Sequence, residues 1–209
     1  MDLTNSQRVA KLAGDLMQHP GNVPRYIAHN LLSRKPPVEL ELPWFSYGAI
    51  DFLENYLQKE TRVFEFGSGG STLFFAQRAK SVVAVEDNAH WCDLVAAKIA
   101  ARKIDNVDLR HVPVTLTTDE AFASSAYVNA VRESTFNVII VDGSEWTPNA
   151  RAICFRAAEK QVAPGGLIVV DDSWRYRELR KAHRAKRVEI FESVGPARYG
   201  VTSTDVYFY

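Results

Sequence analysis

Residues Arg62 to Asp87 read R-V-F-E-F-G-S-G-G-S-T-L-F-F-A-Q-R-A-K-S-V-V-A-V-E-D. Val63, Phe64 and Phe66 form a short apolar run bounded by glycines, which suits a buried parallel strand. Gly67, Gly69 and Gly70 follow at once, and Ser71-Thr72 open a helix carrying Leu73, Phe74, Phe75 and Ala76. A second apolar run, Ser81 to Val85, ends in Glu86. The order strand, glycine turn, helix, strand, acid is the first half of a nucleotide-binding βαβ unit.

The spacing carries chemistry. Glycines let the backbone turn tightly and let a ligand approach the main chain, and free N–H groups at the helix start attract an anionic group. Glu86 stands about twenty residues beyond the first glycine, where an acid at a strand end accepts both hydroxyls of a ribose. A dinucleotide fingerprint, G-x-G-x-x-G/A, requires a third small residue, and Thr72 holds that place. The stretch Glu65-Phe66-Gly67-Ser68-Gly69-Gly70-Ser71 instead resembles the E/D-x-G-x-G loop of class I S-adenosylmethionine-dependent methyltransferases, with small bacterial members the nearest match. The resemblance implies that Gly67, Ser68, Gly69, Gly70 and Ser71 pass under the methionine part of the cofactor and that Glu86, with Asp87 beside it, holds the ribose. Glu65 would be the loop acid near the cofactor's amino group; as a buried carboxylate it would instead tie down loop N–H groups. Ser46 and Tyr47, just before the helix leading to the first strand, occupy a place where such enzymes contact the methionine end. Trp44 is open to two readings, a wall of the site or core packing.

Composition sets the frame. At 209 residues, with 46% hydrophobic and 24% charged residues, the chain has the make-up of one globular domain. Its formal net charge of zero supplies no global field to recruit nucleic acid or an acidic membrane. Cys92 and Cys154 lack C-x-x-C spacing and read as small buried hydrophobes in a reducing, cytoplasmic setting. The first residues lack the basic and apolar regions of a secretory leader, and no apolar run approaches the roughly 18 residues a membrane span requires.

Residues 5 to 18 read as an amphipathic helix with Val9, Leu12, Ala13, Leu16 and Met17 on one face and Asn5 or Ser6 as cap. A second helix is predicted over 25–33, and Lys35-Pro36-Pro37 is a stiff connector. Further helices are predicted over 48–58, 89–102, 121–133 and 149–161. Strands are predicted over 107–114, 136–143 and 167–170, with a polar loop at 115–125. His111 reads as a strand-end histidine or, less simply, a catalyst. A basic helix over 175–186 and late strands at 188–191 and 205–209 complete the chain, the two strands matching the antiparallel hairpin of the methyltransferase family. The expected fold is therefore α/β and Rossmann-like: a seven-stranded, mostly parallel sheet with a C-terminal antiparallel hairpin and helices on both faces. Residues 1–43 form a helical extension, a lid or an oligomer contact such as that of a homodimer, and residues 44–209 the cofactor-binding domain.

Asp142, Asp171 and Asp172 end adjacent predicted strands. Their arrangement is similar to that of cation-dependent O-methyltransferases of the catechol type, which implies a magnesium or other divalent site that orients the acceptor. Asp172 stands where that family has Asn, and Gly143-Ser144-Glu145-Trp146 departs from its run, so helix-cap and turn roles are the competing reading. Asp142 and Asp171 are the candidates for substrate contact or base, and Asp142 is also a candidate for cofactor contact. Arg175 at the head of the basic run would meet an anionic acceptor. The function expected is methyl transfer from S-adenosylmethionine to an oxygen or nitrogen of a small-molecule or glycan-type acceptor; an NAD-binding oxidoreductase or a non-catalytic cofactor-binding module are the alternatives.

Overall fold

The computed structural model describes residues 4–33, 35–115 and 118–209, the side chain of Asn5 excepted. Its seven strands are β1 (Arg62–Phe66), β2 (Ser81–Glu86), β3 (Val107–His111), β4 (Phe136–Val141), β5 (Val162–Val170), β6 (Arg187–Val194) and β7 (Val201–Phe208), ordered β3-β2-β1-β4-β5-β7-β6. β1 to β5 pair in parallel, while β7 runs antiparallel between β5 and β6. The central strands β1, β4 and β5 are apolar on both faces because both are covered, as in parallel sheets generally. Register then decides which chain segments meet. Phe66 is level with both Val85 and Val141, Val141 with Val170, and Val170 with Asp205. Gly67, Glu86, Asp142 and Asp171 therefore emerge from one edge of the sheet.

The helices are α1 (Asn5–Gln18), α2 (Asn22–Tyr26), α3 (Pro37–Leu40), α4 (Tyr47–Tyr56), α5 (Gly70–Ala76), α6 (Ala89–Arg102), α7 (Asp119–Ala123), α8 (Ala126–Asn129) and α9 (Ala150–Ala158). Alternation along the strands sorts the core into two layers. Phe64, Phe66, Ile139, Val141, Ile168 and Val170 pack with Phe122, Tyr127 and Phe155 from α7, α8 and α9. Val63, Val138, Ile140 and Val169 pack on the opposite face with Ile50, Leu53, Phe74 and Phe75 from α4 and α5. Among the described residues no helix is long and apolar enough to cross a membrane.

Several expected elements differ. The basic helix over 175–186 is absent; two short 3-10 turns, Ser173–Arg175 and Arg177–Arg180, stand there. Buried Asp205 draws Arg180 inward at 2.6 Å, and Tyr176 and Leu179, three apart, are the buried apolar pair, a spacing that suits three residues per turn. The helix predicted over 121–133 is broken at Ser125, whose hydroxyl accepts from Val128 N at 3.2 Å and starts a new helix. A wide π-type turn, Ile27–Leu32, follows α2. Strand β3 stops at His111, β5 begins at Val162, and the hairpin strands are longer than expected. Within the polar stretch 115–125, residues 116 and 117 lie outside the described residues. Thr4, with Gln7, caps α1. Only Leu12 and Leu16 of its apolar stripe reach the core, Val9 and Met17 being exposed. Asp15 turns inward instead and accepts from Val194 N at 3.0 Å.

Candidate functional site

A cleft of about 910 Å³ opens over the C-terminal ends of the parallel strands, the place where open α/β sheets bind ligands. Its first wall is the glycine turn. Gly67 has φ +93°, and a Cβ there would lie 3.2 Å from the Asp142 carbonyl oxygen, so both backbone sign and space demand glycine. Glu86 Oε2 accepts from the backbone N–H and the hydroxyl of Ser68, each at 2.9 Å, and Oε1 accepts from Asn88 N at 3.0 Å. Burial raises the Glu86 pKa, and the Asn88 and Ser68 hydrogen bonds offset part of that rise. Thr72 explains the broken dinucleotide pattern: its hydroxyl accepts from Gly69 N at 2.9 Å, so a side chain here does the capping. Trp91 Nε1–H donates to the Ser68 carbonyl at 2.6 Å and closes the turn from the α6 side.

Not every residue expected at the cofactor lines the cleft. Gly67, Ser68, Gly69, Gly70, Ser71, Glu86 and Asp142 do. Ser46 is fully buried behind it as the residue preceding α4, its N–H donating to the Thr204 hydroxyl at 3.1 Å. Asp87 faces the β4–α9 loop, where it accepts from Trp146 Nε1 at 2.9 Å. Glu65 points to the α5 face beneath the turn; Ser71 and Thr72 favour its charge, but burial wins and pushes its pKa up to about 8. Among the described residues its Oε2 has no hydrogen-bond partner. His111 is exposed at the strand end, outside the cleft lining.

The three aspartates do converge, but around arginines. Arg151 of α9 holds Asp142 Oδ1 at 3.1 Å and donates to the carbonyls of Asp171 at 2.7 Å and Gly143 at 3.2 Å. Arg198, on the β6–β7 turn, donates to Asp172 Oδ1 at 2.6 Å, to the Trp44 carbonyl at 3.1 Å and to Asp171 Oδ2 at 3.4 Å. Thr204 donates to Asp171 Oδ1 at 2.8 Å. Burial, with the neighbouring Asp142 charge, drives the Asp171 pKa well above the carboxylate range. Asp142 is raised too, burial outweighing Arg151. At Asp172 burial is overcome by Arg198 and Thr202, and the pKa falls.

These acids do not fit the divalent-cation site expected of them. Two guanidiniums occupy the space between the carboxylates, and among the described residues no group of three or more His, Cys, Asp or Glu is placed to hold a metal ion. Asp172 sits at φ 49° as a turn residue before the first 3-10 turn. Arg175 is paired with Glu145 at 2.5 Å rather than standing free for an anion.

Arg151, Arg198 and Trp91 escaped the sequence reading. Arg151 left a faint signal, an arginine among the otherwise apolar residues on the buried side of its helix. Arg198 left none, because only the pairing of β6 with β7 carries it across the sheet edge.

A glycine turn after β1, an acid ending β2 and an antiparallel strand inserted beside β5 define the architecture of a class I S-adenosylmethionine-dependent methyltransferase. The family model described as a methyltransferase domain matches residues 64–173, more than half of the chain, and the protein belongs to that family. It is an S-adenosylmethionine-dependent methyltransferase. Comparison with curated proteins found no match. Among solved structures, a protein described as an O-methyltransferase from Klebsiella pneumoniae is similar in fold at TM-score 0.63 and 16% identity, covering 96% of this chain and 98% of that one. An rRNA methylase from Streptococcus thermophilus aligns at TM-score 0.58 and 14% identity, over 83% and 96% of the two chains. A protein described as a methyltransferase from Streptococcus mutans, in complex with SAH, aligns at TM-score 0.58 and 14% identity, over 84% and 99%. These likenesses are of fold.

Proposed function

We propose that the cleft binds S-adenosylmethionine between the Gly67–Ser71 turn and Glu86 and methylates an oxygen or nitrogen of a small-molecule or glycan-type acceptor. When bound, the cofactor supplies an electrophilic methyl group on a sulfonium, so alignment does most of the work. Glu86 would take the ribose hydroxyls on lone pairs left by Ser68 and Asn88. Asp142, the base in this reading, takes the proton that the acceptor loses. Asp171, buried and hydrogen-bonded by Thr204, keeps the strand end in place. The observation that carries the reading is Asp142 itself: its side chain is 25% exposed, lines the cleft, and has a pKa raised by burial toward the range a base needs.

The segments around Asn30 and Pro37 flank the site in this reading. Asn30 accepts from the backbone N–H of Arg198, and the Pro37 carbonyl abuts Gly70. The two free, buried cysteines are in keeping with a cytoplasmic enzyme. Thermal unfolding with S-adenosylhomocysteine, with NAD and with neither tests the assignment. Ligand at a hundred times its dissociation constant adds about 2.7 kcal/mol, a shift of several degrees. A shift with S-adenosylhomocysteine alone is expected; none at saturation, or a shift with NAD instead, would sink the reading.

A further inference from the structure

The chain has four tryptophans; Trp44 and Trp91 line the cleft, and Trp146 and Trp174 are hydrogen-bonded to Asp87 and to cleft-lining Asp172. Trp91 closes the glycine turn, and Trp146 is tied to Asp87. Trp44 and Trp174 lie at the other end and keep 48% and 46% of their surface exposed. Trp44 is the half-exposed one that also lines the cleft, so its flat apolar face is open to a ligand bound there.

Trp44 is fixed twice by one residue. The Arg198 guanidinium lies 5.2 Å from its ring centroid, and the same group donates to its backbone carbonyl at 3.1 Å. Phe45, fully buried, anchors the next position. Asp172 Oδ1, which accepts from Arg198, also accepts from Trp174 Nε1 at 3.3 Å. Indole, guanidinium, carboxylate and indole thus run in one contiguous series, and Trp44, Arg198 and Asp172 line the cleft beside Asp142. The charges in this series cancel: Arg198 is paired with Asp172, as Arg151 is with Asp142. Among the described residues of this series both guanidiniums are paired, so an anionic acceptor finds no free cation there, and a flat one finds the Trp44 ring on the cleft wall.

We propose that Trp44 and Arg198 form the acceptor wall and that the acceptor is a flat, uncharged ring compound carrying the hydroxyl or amine to be methylated. This rests on the methyltransferase reading and narrows its acceptor. Trp44 is the specificity-determining residue: its face holds the ring, and Arg198 keeps that face from turning. An aliphatic ring of equal size loses the stacking contact, and an anionic ring gives up hydration without gaining a free partner.

Calorimetric titration of the 209-residue chain tests this in two stages. The first stage is S-adenosylhomocysteine alone; failure to bind overturns the methyltransferase reading itself. The second adds three size-matched probes to the saturated protein: 2-naphthol, decahydro-2-naphthol and 6-hydroxy-2-naphthoate. The expected result is 2-naphthol binding about tenfold more tightly than either of the others, a difference of about 1.4 kcal/mol. Trp44→Ala should remove that preference and Trp44→Phe should keep it within about threefold, with S-adenosylhomocysteine affinity unchanged in both, which also shows that the variants are folded. Four outcomes overturn the proposal: equal or tighter binding of the decahydro compound, tighter binding of the naphthoate, an undiminished preference in Trp44→Ala, or no saturable binding of 2-naphthol while S-adenosylhomocysteine binds.

Discussion

Glu86 holds Ser68 through one carboxylate oxygen, which accepts the serine's backbone N–H and its hydroxyl at 2.9 Å each. The acid at the end of β2 therefore organises the glycine turn at the end of β1 before any ligand arrives. If Glu86 holds the ribose as proposed, cofactor binding and loop geometry are coupled through a single side chain.

Replacing Glu86 by Ala should weaken S-adenosylhomocysteine about 10- to 100-fold, since hydrogen bonds to a charged group contribute about 1.5–3 kcal/mol. Glu86→Gln, which still offers one oxygen to Ser68, should lose less. Calorimetry decides it, and an alanine variant within about threefold of the parent would remove Glu86 from the cofactor site.

Asp142→Asn should lower kcat by about 10²- to 10⁴-fold, the range for loss of a positioned base, with little change in cofactor affinity. The base must be ionised to act, so the rate should fall as pH drops through the raised Asp142 pKa. That acid limb should lie above the ordinary aspartate range and vanish in Asp142→Asn. A limb that persists unchanged in the variant would assign the proton to another group.

Glu65 predicts a stability slope of known sign. Its folded-state pKa is about 8 against a reference of 4.5, so between those values the folded chain holds a proton that the unfolded chain has lost. The contribution is complete below the lower value and is lost as pH rises through the upper one. The Tm of Glu65→Gln relative to the parent should therefore climb by several degrees between about pH 5 and pH 8. A constant difference across that range would show that Glu65 is ionised in the fold.

Gly70→Ala should destabilise by about 1–3 kcal/mol, the usual cost of overpacking. A Cβ at Gly70 would come 2.3 Å from the carbonyl oxygens of both Pro37 and Leu42, backbone atoms with little freedom to move. Gly200→Ala, where a Cβ meets nothing within 4 Å, is the matched control. Equal Tm values for the two would mean that the segment around Pro37 is not seated on the turn.

Magnesium or a chelator should leave the Tm and S-adenosylhomocysteine affinity unchanged, because the strand-end acids are already engaged by Arg151 and Arg198. A magnesium-dependent Tm shift would mean that the guanidiniums give way to the cation.

The sequence by itself determined the frame of this protein. The β1–glycine–α5–β2 unit, the strand that ends at Asp142 and the late hairpin are all written in local apolar runs and breakers, which act over a few residues and need no distant partner. Helix 89–102 matched to the residue for the same reason, with Asn88 capping it through Trp91 N. The tertiary structure alone decided what the acids do. Asp171 and Asp172 look alike along the chain, yet one is pushed toward neutrality by full burial beside Asp142, while Arg198 at 2.6 Å and Thr202 hold the other ionised. The distance from Asp172 to Arg198 along the chain is closed only by the β6–β7 pairing, and electrostatics depends on distance through space, which no local pattern records. The same holds for the basic run at 175–187: its charges predicted a solvated helix, and the buried Asp205 that pulls Arg180 inward comes from the final strand.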